Sequence, residues 1–180
     1  MKVTPTVIPD VKVIEPRVFT DARGFFFESW NARALRDAGI DAEFVQDNHS
    51  RSPRGVLRGL HYQVEHAQGK LVRVVVGEVF DVAVDLRRSS STFGRSVCLT
   101  LRGEDRQVLW IPPGFAHGFL VVSESADFLY KTTDYWYPQH ERTLLWSDPQ
   151  IAVRWPLAVA PLVNAKDAGG LLLDAAETYP

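Results

Sequence analysis

Short apolar runs, rich in β-branched and aromatic residues, recur along the whole chain. Gly, Pro, Asp or Ser separates each run from the next, which is typical of strands joined by turns. The pattern predicts strands at Val11–Ile14, Gly24–Ser29, Phe44–Ser50, Val56–Gln63, Leu71–Val76, Val79–Leu86, Arg95–Leu101, Val108–Ile111, Gly118–Val122, Phe128–Thr133 and Thr143–Trp146.

Two of these runs alternate between apolar and polar positions with a period of two. The polar or small residues in them are Asp81, Ala83 and Asp85 in one run, and Ser96, Cys98 and Thr100 in the other. Such alternation is typical of an antiparallel strand with one buried face. Both runs are therefore predicted to be half-buried.

Asn31–Ala38 is the one segment that favours a helix, since Asn31 can cap its start and Gly39 can end it. Many strands with a single short helix indicate a β-sandwich or barrel. The 180 residues contain no internal repeat and no linker. One all-β domain spanning residues 1–180 is expected.

Composition narrows the possible functions. A formal net charge of −2 gives no basic field for nucleic acid or an acidic membrane surface. No apolar run approaches the roughly 20 residues of a membrane span. The single cysteine, Cys98, excludes an internal disulfide, and the first ten residues lack the apolar core of a signal peptide. A cytoplasmic protein is expected.

The segment Arg54–Gln63 contains two candidate site residues, Arg58 and His61. In a regular strand these two side chains point to opposite faces, so they can share a ligand only if the strand bulges. Gly59 between them permits such a bulge. A histidine near its ordinary pKa suits proton abstraction at neutral pH. The alternative is a structural histidine, and this segment alone does not decide between them.

A second histidine lies in the pattern Pro112-x-Gly114-x-x-His117, which resembles the second half of the cupin barrel motif. Metal-binding cupins also supply a His-x-His pair earlier in the chain. Here that position reads His61-Tyr-Gln63, without the second histidine. Three or more ligands are the usual requirement for a transition-metal site, so a metal-independent protein is expected.

Two further segments carry clustered polar groups. Gln46, Asn48 and Ser50 share one strand face, which is either solvated or forms a hydrogen-bonding wall for a ligand. Arg23 precedes three phenylalanines and Glu28, which fits either core packing or the binding of a phosphate and a flat base. Taken alone, Lys166-Asp167 is more typical of a surface charge pair.

In order along the chain, these segments resemble the dTDP-4-dehydrorhamnose 3,5-epimerase family from about Asp21 to Asp167. The resemblance rests on Asp21-x-Arg-Gly-x-Phe-x-Glu28, Gln46-Asp-Asn-x-Ser50, Arg58-Gly-Leu-His-Tyr-Gln63, Lys70-Leu-Val-Arg73, the run from Gly77 to Arg87, Ile111-Pro-Pro-Gly-Phe-Ala-His-Gly-Phe119, Tyr130-Lys131, Trp146-Ser-Asp-Pro149 and Lys166-Asp167. Each motif is weak by itself, but the ordered set is specific.

The resemblance implies a cupin-type jelly-roll barrel with few short helices, no metal and no organic cofactor. It implies that His61 is the general base, Asp167 its orienting partner, Tyr130 the general acid and Lys70 the group beside the developing enolate. The implied substrate-binding residues are Arg23, Phe26, Glu28, Gln46, Asn48, Arg58, His117, Glu141 and Lys166. The implied ligand is a dTDP-linked 4-keto-6-deoxyhexose.

The family also implies a homodimer. The extended, aromatic-rich segment Val11–Trp30 favours exchange of edge strands between subunits, which would carry Arg23 and Glu28 to the partner's site. Three alternatives remain open. These alternatives are an epimerase of a single centre, a non-catalytic cupin that binds sugar nucleotides, and a metal-dependent cupin. The presence of His61, Lys70 and Tyr130 together favours an enzyme.

Overall fold

The computed structural model describes Met1–Pro180, and strands account for most of its regular structure. The strands are β1 Lys2–Pro5, β2 Lys12–Glu15, β3 Val18–Asp21, β4 Gly24–Phe27, β5 Gln46–Pro53, β6 Leu57–Gln63, β7 Lys70–Val76, β8 Glu78–Asp85, β9 Ser96–Arg102, β10 Val108–Ile111, β11 Phe115–Val121, β12 Ser125–Thr132 and β13 Glu141–Thr143. The helices are α1 Ala32–Asp37 and α2 Ala165–Ala168, with one 3-10 turn at Pro138–His140. Neither helix is long and apolar enough to cross a membrane.

Two antiparallel sheets make up the body of the protein. The first sheet has the strand order β1-β2-β10-β7-β12-β5, and the second has the order β13-β6-β11-β8-β9. Between them lies an apolar core in which Val72 and Phe128 of the first sheet join Leu101 and Phe119 of the second. A separate hairpin, β3–β4, pairs with neither sheet. The architecture confirms the all-β, cupin-type jelly roll.

Every strand predicted from the sequence overlaps an observed one, and the predicted helix is confirmed. Asn31 caps α1, because its side-chain oxygen accepts a hydrogen bond from the amide of Ala34. The sequence pattern missed β1, β3 and α2. All three are four residues long, too short to show a period.

The prediction that β8 is half-buried was wrong, whereas the same prediction for β9 was right. β8 lies between β11 and β9, and Asp81 to Asp85 are buried on both faces of the strand. The Asp85 carboxylate compensates for burial by accepting bonds from Arg87 and from two hydroxyl groups. β9 is an edge strand in which Val97 is buried and Cys98 is exposed.

The irregular segment after β13 packs against β6. The Tyr62 hydroxyl donates to the carbonyl of Glu177, and the Tyr179 hydroxyl donates to the carbonyl of Gln63 at 2.5 Å. Residues 144 and 171 pair as an isolated parallel bridge. These contacts hold α2, which this segment contains, beside the middle of β6.

Candidate active site

A cavity of about 590 Å³ opens between the two sheets. β5, β7 and β12 form one wall, and β6, β11 and β13 form the other. Nine of the predicted site residues line it, namely Gln46, Asn48, Arg58, His61, Lys70, His117, Tyr130, Glu141 and Lys166. The cavity therefore collects residues that are separated by up to 120 positions in the sequence.

The base candidate His61 is paired with a fully buried carboxylate. Its Nε2 lies 2.7 Å from Oδ1 of Asp167, while Oδ2 of Asp167 accepts a bond from the Gly59 amide at 3.0 Å. Burial raises the pKa of Asp167, but the bonds from His61 and Gly59 outweigh it and leave the pKa below its ordinary value. Asp167 is thus an ionised partner of His61. The interpretation of Lys166-Asp167 as a surface pair was wrong for Asp167.

A bulge at Gly59 brings Arg58 and His61 to the same cavity, as the sequence suggested. His61 is opposite His117 on β11, whereas Arg58 is opposite Phe119, so the register shifts between the two pairs. Gly59 has a φ of +113°, and a Cβ there would lie 2.6 Å from the carbonyl oxygen of His117. Only glycine fits this position.

Lys70 lies at the cavity wall and is almost completely buried. Its Nζ donates to the carbonyl oxygen of His61 at 3.0 Å. Burial lowers the pKa of Lys70 to about 8, although the negative charges of Glu141 and Asp81 act in the opposite direction. The ammonium group therefore lies against the main chain of His61 and is poorly hydrated, which strengthens its interaction with an anion.

Tyr130 belongs to β12, on the wall opposite β6. Burial raises the pKa of its hydroxyl, and the charge of Glu141 adds to the effect. The phenol is consequently protonated at neutral pH and has a proton to give. His61 and Tyr130 face the cavity from different sheets.

A second histidine–carboxylate pair lies beside the first. Nε2 of His117 is 2.9 Å from Oδ2 of Asp81, and both side chains are buried. His117 was predicted from the sequence as a site residue, whereas Asp81 was not. The Asp81 carboxylate lies between apolar residues of β8, and a carboxylate in such a run was the signal that could have identified it.

Charged and amide groups complete the wall. Lys166 Nζ lies 2.8 Å from Oε2 of Glu141, and this bond keeps the pKa of Glu141 below its ordinary value although burial raises it. The Arg58 Nε donates to the Ser52 hydroxyl at 3.0 Å. The Gln46 amide donates to Asn48 at 2.9 Å.

Trp136 is a cavity residue that sequence analysis missed. The residue lines the cavity and is 55% exposed. The amide of Trp136 donates to the side-chain oxygen of Gln46 at 3.0 Å. An aromatic triplet in a loop, Tyr135 to Tyr137, was the available signal.

Arg23, Phe26 and Glu28 are not brought to this cavity within one chain. They lie on or next to the β3–β4 hairpin, where Arg23 pairs with Asp21 and is largely exposed. Phe26 and Glu28 line a separate apolar cavity of about 430 Å³. No three His, Cys, Asp or Glu side chains lie close enough together to hold a metal ion.

Comparison with known proteins agrees with this geometry. The family model of dTDP-4-dehydrorhamnose 3,5-epimerase matches residues 5–175. The enzyme of that name from Pseudomonas aeruginosa is 60% identical over the full length of both chains.

Solved structures support the same assignment. The epimerase RmlC from Legionella pneumophila, in complex with dTDP-4-keto-L-rhamnose, is 51% identical, with a TM-score of 0.95 over 98% of this chain and 94% of its own. ChmJ from Streptomyces bikiniensis, a 3'-monoepimerase in complex with dTDP-quinovose, is 30% identical, with a TM-score of 0.88 over 94% and 87% of the two chains. The chain therefore belongs to the dTDP-4-dehydrorhamnose 3,5-epimerase family.

Proposed function

We propose that this protein inverts carbons 3 and 5 of dTDP-4-dehydro-6-deoxy-D-glucose and produces dTDP-4-dehydro-L-rhamnose, a step of dTDP-L-rhamnose biosynthesis. The observation that carries the proposal is the His61–Asp167 pair, which faces the same cavity as Lys70 and Tyr130. Relatives up to 60% identical over the whole chain have the same activity in their names.

The base is His61. Its Nε2 is bonded to Asp167, which leaves Nδ1 as the ring nitrogen available to the substrate. The ketone at carbon 4 acidifies the hydrogens on carbons 3 and 5, and Nδ1 removes one of them. The buried carboxylate then stabilises the imidazolium that forms, as in other carboxylate–histidine pairs.

Removal of the proton leaves an enolate, whose oxygen carries the developing negative charge. Lys70 supplies a fixed cation next to His61, and burial makes this interaction stronger than it would be in water. Inversion then requires a proton from the opposite face of the sugar. Tyr130 occupies the opposite sheet and holds such a proton.

The remaining cavity residues suit the nucleotide. Arg58, His117 and Lys166 offer donors to the pyrophosphate, and the amides of Gln46 and Asn48 can bond polar groups of the sugar or base. The exposed indole of Trp136 offers a flat face on which thymine can stack. No metal or organic cofactor is part of this proposal.

We also propose that the protein is a two-fold homodimer. Its β3–β4 hairpin pairs with neither sheet of its own chain and exposes Phe25 and Phe26. Exchange of this hairpin would bring Arg23, Phe26 and Glu28 to the cavity of the partner and bury their apolar surface. Within one chain these three residues lie outside the active-site cavity.

Inversion of a single centre is the second candidate function. The structural similarity to a 3'-monoepimerase favours it, because the same barrel supports that outcome. The two candidates differ in the number of carbons that exchange protons with solvent. A single-centre enzyme would label one carbon, whereas the proposed enzyme labels both.

The experiment is proton NMR of the 4-keto substrate incubated with the purified protein in deuterium oxide. We expect deuterium at carbons 3 and 5, and His61→Asn should slow both exchanges by about 10²–10⁴-fold. His140→Asn, at a half-buried position outside the cavity lining, is the matched control and should exchange normally at saturating substrate. Near-normal exchange by His61→Asn would show that His61 is structural.

A further inference from the structure

Gln63 ends β6, two residues after the proposed base, and is almost completely buried. Its side-chain nitrogen donates to the carbonyls of His66 at 2.8 Å and of Tyr135 at 3.1 Å. Its side-chain oxygen accepts from the amide of Tyr137 at 2.7 Å. Both hydrogens and the oxygen of this amide are thus bonded to main-chain groups, which is the arrangement that burial of an amide requires.

These bonds hold one particular segment, residues 134–140, which we call the rim loop. It follows β12 and leads through the 3-10 turn into β13. Gln63 bonds the main chain on both sides of Trp136, at Tyr135 and Tyr137. The remaining anchors include Gln46, which accepts from the amide of Trp136, and the ring of His66, which stacks on Tyr137 at 4.1 Å.

The rim loop has little apolar burial of its own. Tyr135 and Trp136 are each 55% exposed, so hydrophobic packing does not fix their position. Hydrogen bonds must therefore hold most of the rim loop in place, since a loop with few buried contacts opens easily. Burial raises the pKa of the Glu141 carboxyl, but Lys166 and His61 lower it, and the Trp136 side chain lies close enough to add a smaller lowering effect through a hydrogen bond.

We propose that Gln63 is a positioning residue for nucleotide binding, which holds the rim loop so that the Trp136 indole stays at the mouth of the cavity. The inference deepens the proposed function, since it takes the nucleoside diphosphate part of the substrate as the ligand of Trp136. Gln63 also lies at the cavity wall, but both hydrogens of its amide are bonded to main-chain carbonyls rather than free for a ligand. A loop that is ordered before binding does not have to be ordered during binding, so Gln63 raises affinity through the loop.

On this proposal, different residues of strand β6 serve nucleotide binding and proton transfer. Gly59 and His61 on β6 belong to the proton-transfer machinery, and Gln63 at the end of the same strand belongs to the nucleotide end. Loss of the Gln63 bonds should therefore raise Kd and KM for nucleotide ligands. The value of kcat at saturating substrate should change little.

The experiment is a double-mutant cycle on Gln63 and Trp136, with the Kd of dTDP measured by calorimetry. Gln63→Met keeps the length of the side chain and removes the three bonds. Gln63→Glu keeps the acceptor for Tyr137, loses both donors and serves the same cycle if Gln63→Met does not fold. Gln139→Met makes the same substitution at an exposed position of the rim loop and is the matched control.

We expect Trp136→Ala to weaken dTDP binding by about tenfold or more, as is usual when an aromatic residue that stacks on a base is removed. Gln63→Met should weaken binding several-fold, and the double variant should bind no more weakly than Trp136→Ala alone. Gln139→Met should bind normally.

Three binding results would overturn the inference: additive losses in the double variant, an unchanged Kd in the folded Gln63 variants, or an unchanged Kd in Trp136→Ala. A loss of kcat equal to the loss of affinity would also overturn it, because Gln63 would then act on the chemistry. Deuterium exchange at saturating substrate tests the proposed function separately. If exchange persists in the Gln63 variants, the proposed function stands regardless of the outcome of the double-mutant cycle.

Discussion

Asp167→Asn is the substitution that tests the proposed base most directly. The carboxylate accepts one bond from the Gly59 amide and one from His61. An asparagine that keeps the Gly59 bond through its oxygen turns its NH₂ group towards Nε2 of His61. The ring proton then moves to Nδ1, the nitrogen that must accept the substrate proton, and the base is lost.

The magnitude follows from the charge that the carboxylate provides. Opposite unit charges about 4 Å apart attract by about 4 kcal/mol at an effective dielectric constant of about 20. Because each 1.36 kcal/mol changes a rate tenfold, loss of this stabilisation of the imidazolium lowers kcat by about 10³-fold. This lower dielectric constant, rather than that of water, applies to the pair because the bond is 2.7 Å long and Asp167 is completely buried.

The assay is deuterium exchange at carbons 3 and 5 with saturating substrate, alongside a thermal melt. Asp85→Asn is the matched control, since Asp85 is equally buried but bonds Arg87, Ser90 and Thr92 outside the cavity. It should lower Tm and leave kcat close to normal. A loss of less than tenfold in Asp167→Asn, or an equal loss in both variants, would refute the proposed role of Asp167.

Three further results are expected. In Tyr130→Phe, deuterium should still enter the substrate from the solvent, but inverted product should form far more slowly than deuterium is exchanged. An equal loss of both rates would place Tyr130 in the deprotonation step. The Lys70 ammonium is charged below its pKa of about 8, so kcat should fall as pH rises through that value, and a profile that is flat to about pH 10 would contradict its role at the enolate. Sedimentation at micromolar concentration should give a dimer, and Arg23→Ala should weaken dTDP binding only if the hairpin is exchanged.

The strands could be predicted because their signals are local. A period of two and a bounding turn residue lie within a few positions of each other, so β9 and β10 were located closely. The environment of β8 could not be predicted in this way. Its Asp81 looked like a solvent-facing residue, but its partner, His117, lies 36 residues further along the chain.

Parts of the candidate site were equally accessible to the sequence. The bulge at Gly59 followed from the parity of Arg58 and His61, and the structure confirms it. The pairing of Asp167 with His61 came from the family resemblance, because no local pattern links residues 106 positions apart. Trp136 was missed although it lies in an aromatic triplet. The role of Gln63 was missed because it, too, has no local pattern. A side chain that bonds main-chain atoms of a distant loop leaves no motif in the sequence.

The location of His61 and Tyr130 on different sheets has a consequence for how this family can diversify. A residue on β12 can be replaced without altering the hydrogen bonds that orient the groups on β6, because the two strands share no ladder. Proton removal and proton delivery can then be inherited and altered as separate traits. On such a scaffold, a change in stereochemical outcome requires new side chains on one wall, while the opposite wall and the barrel stay as they are.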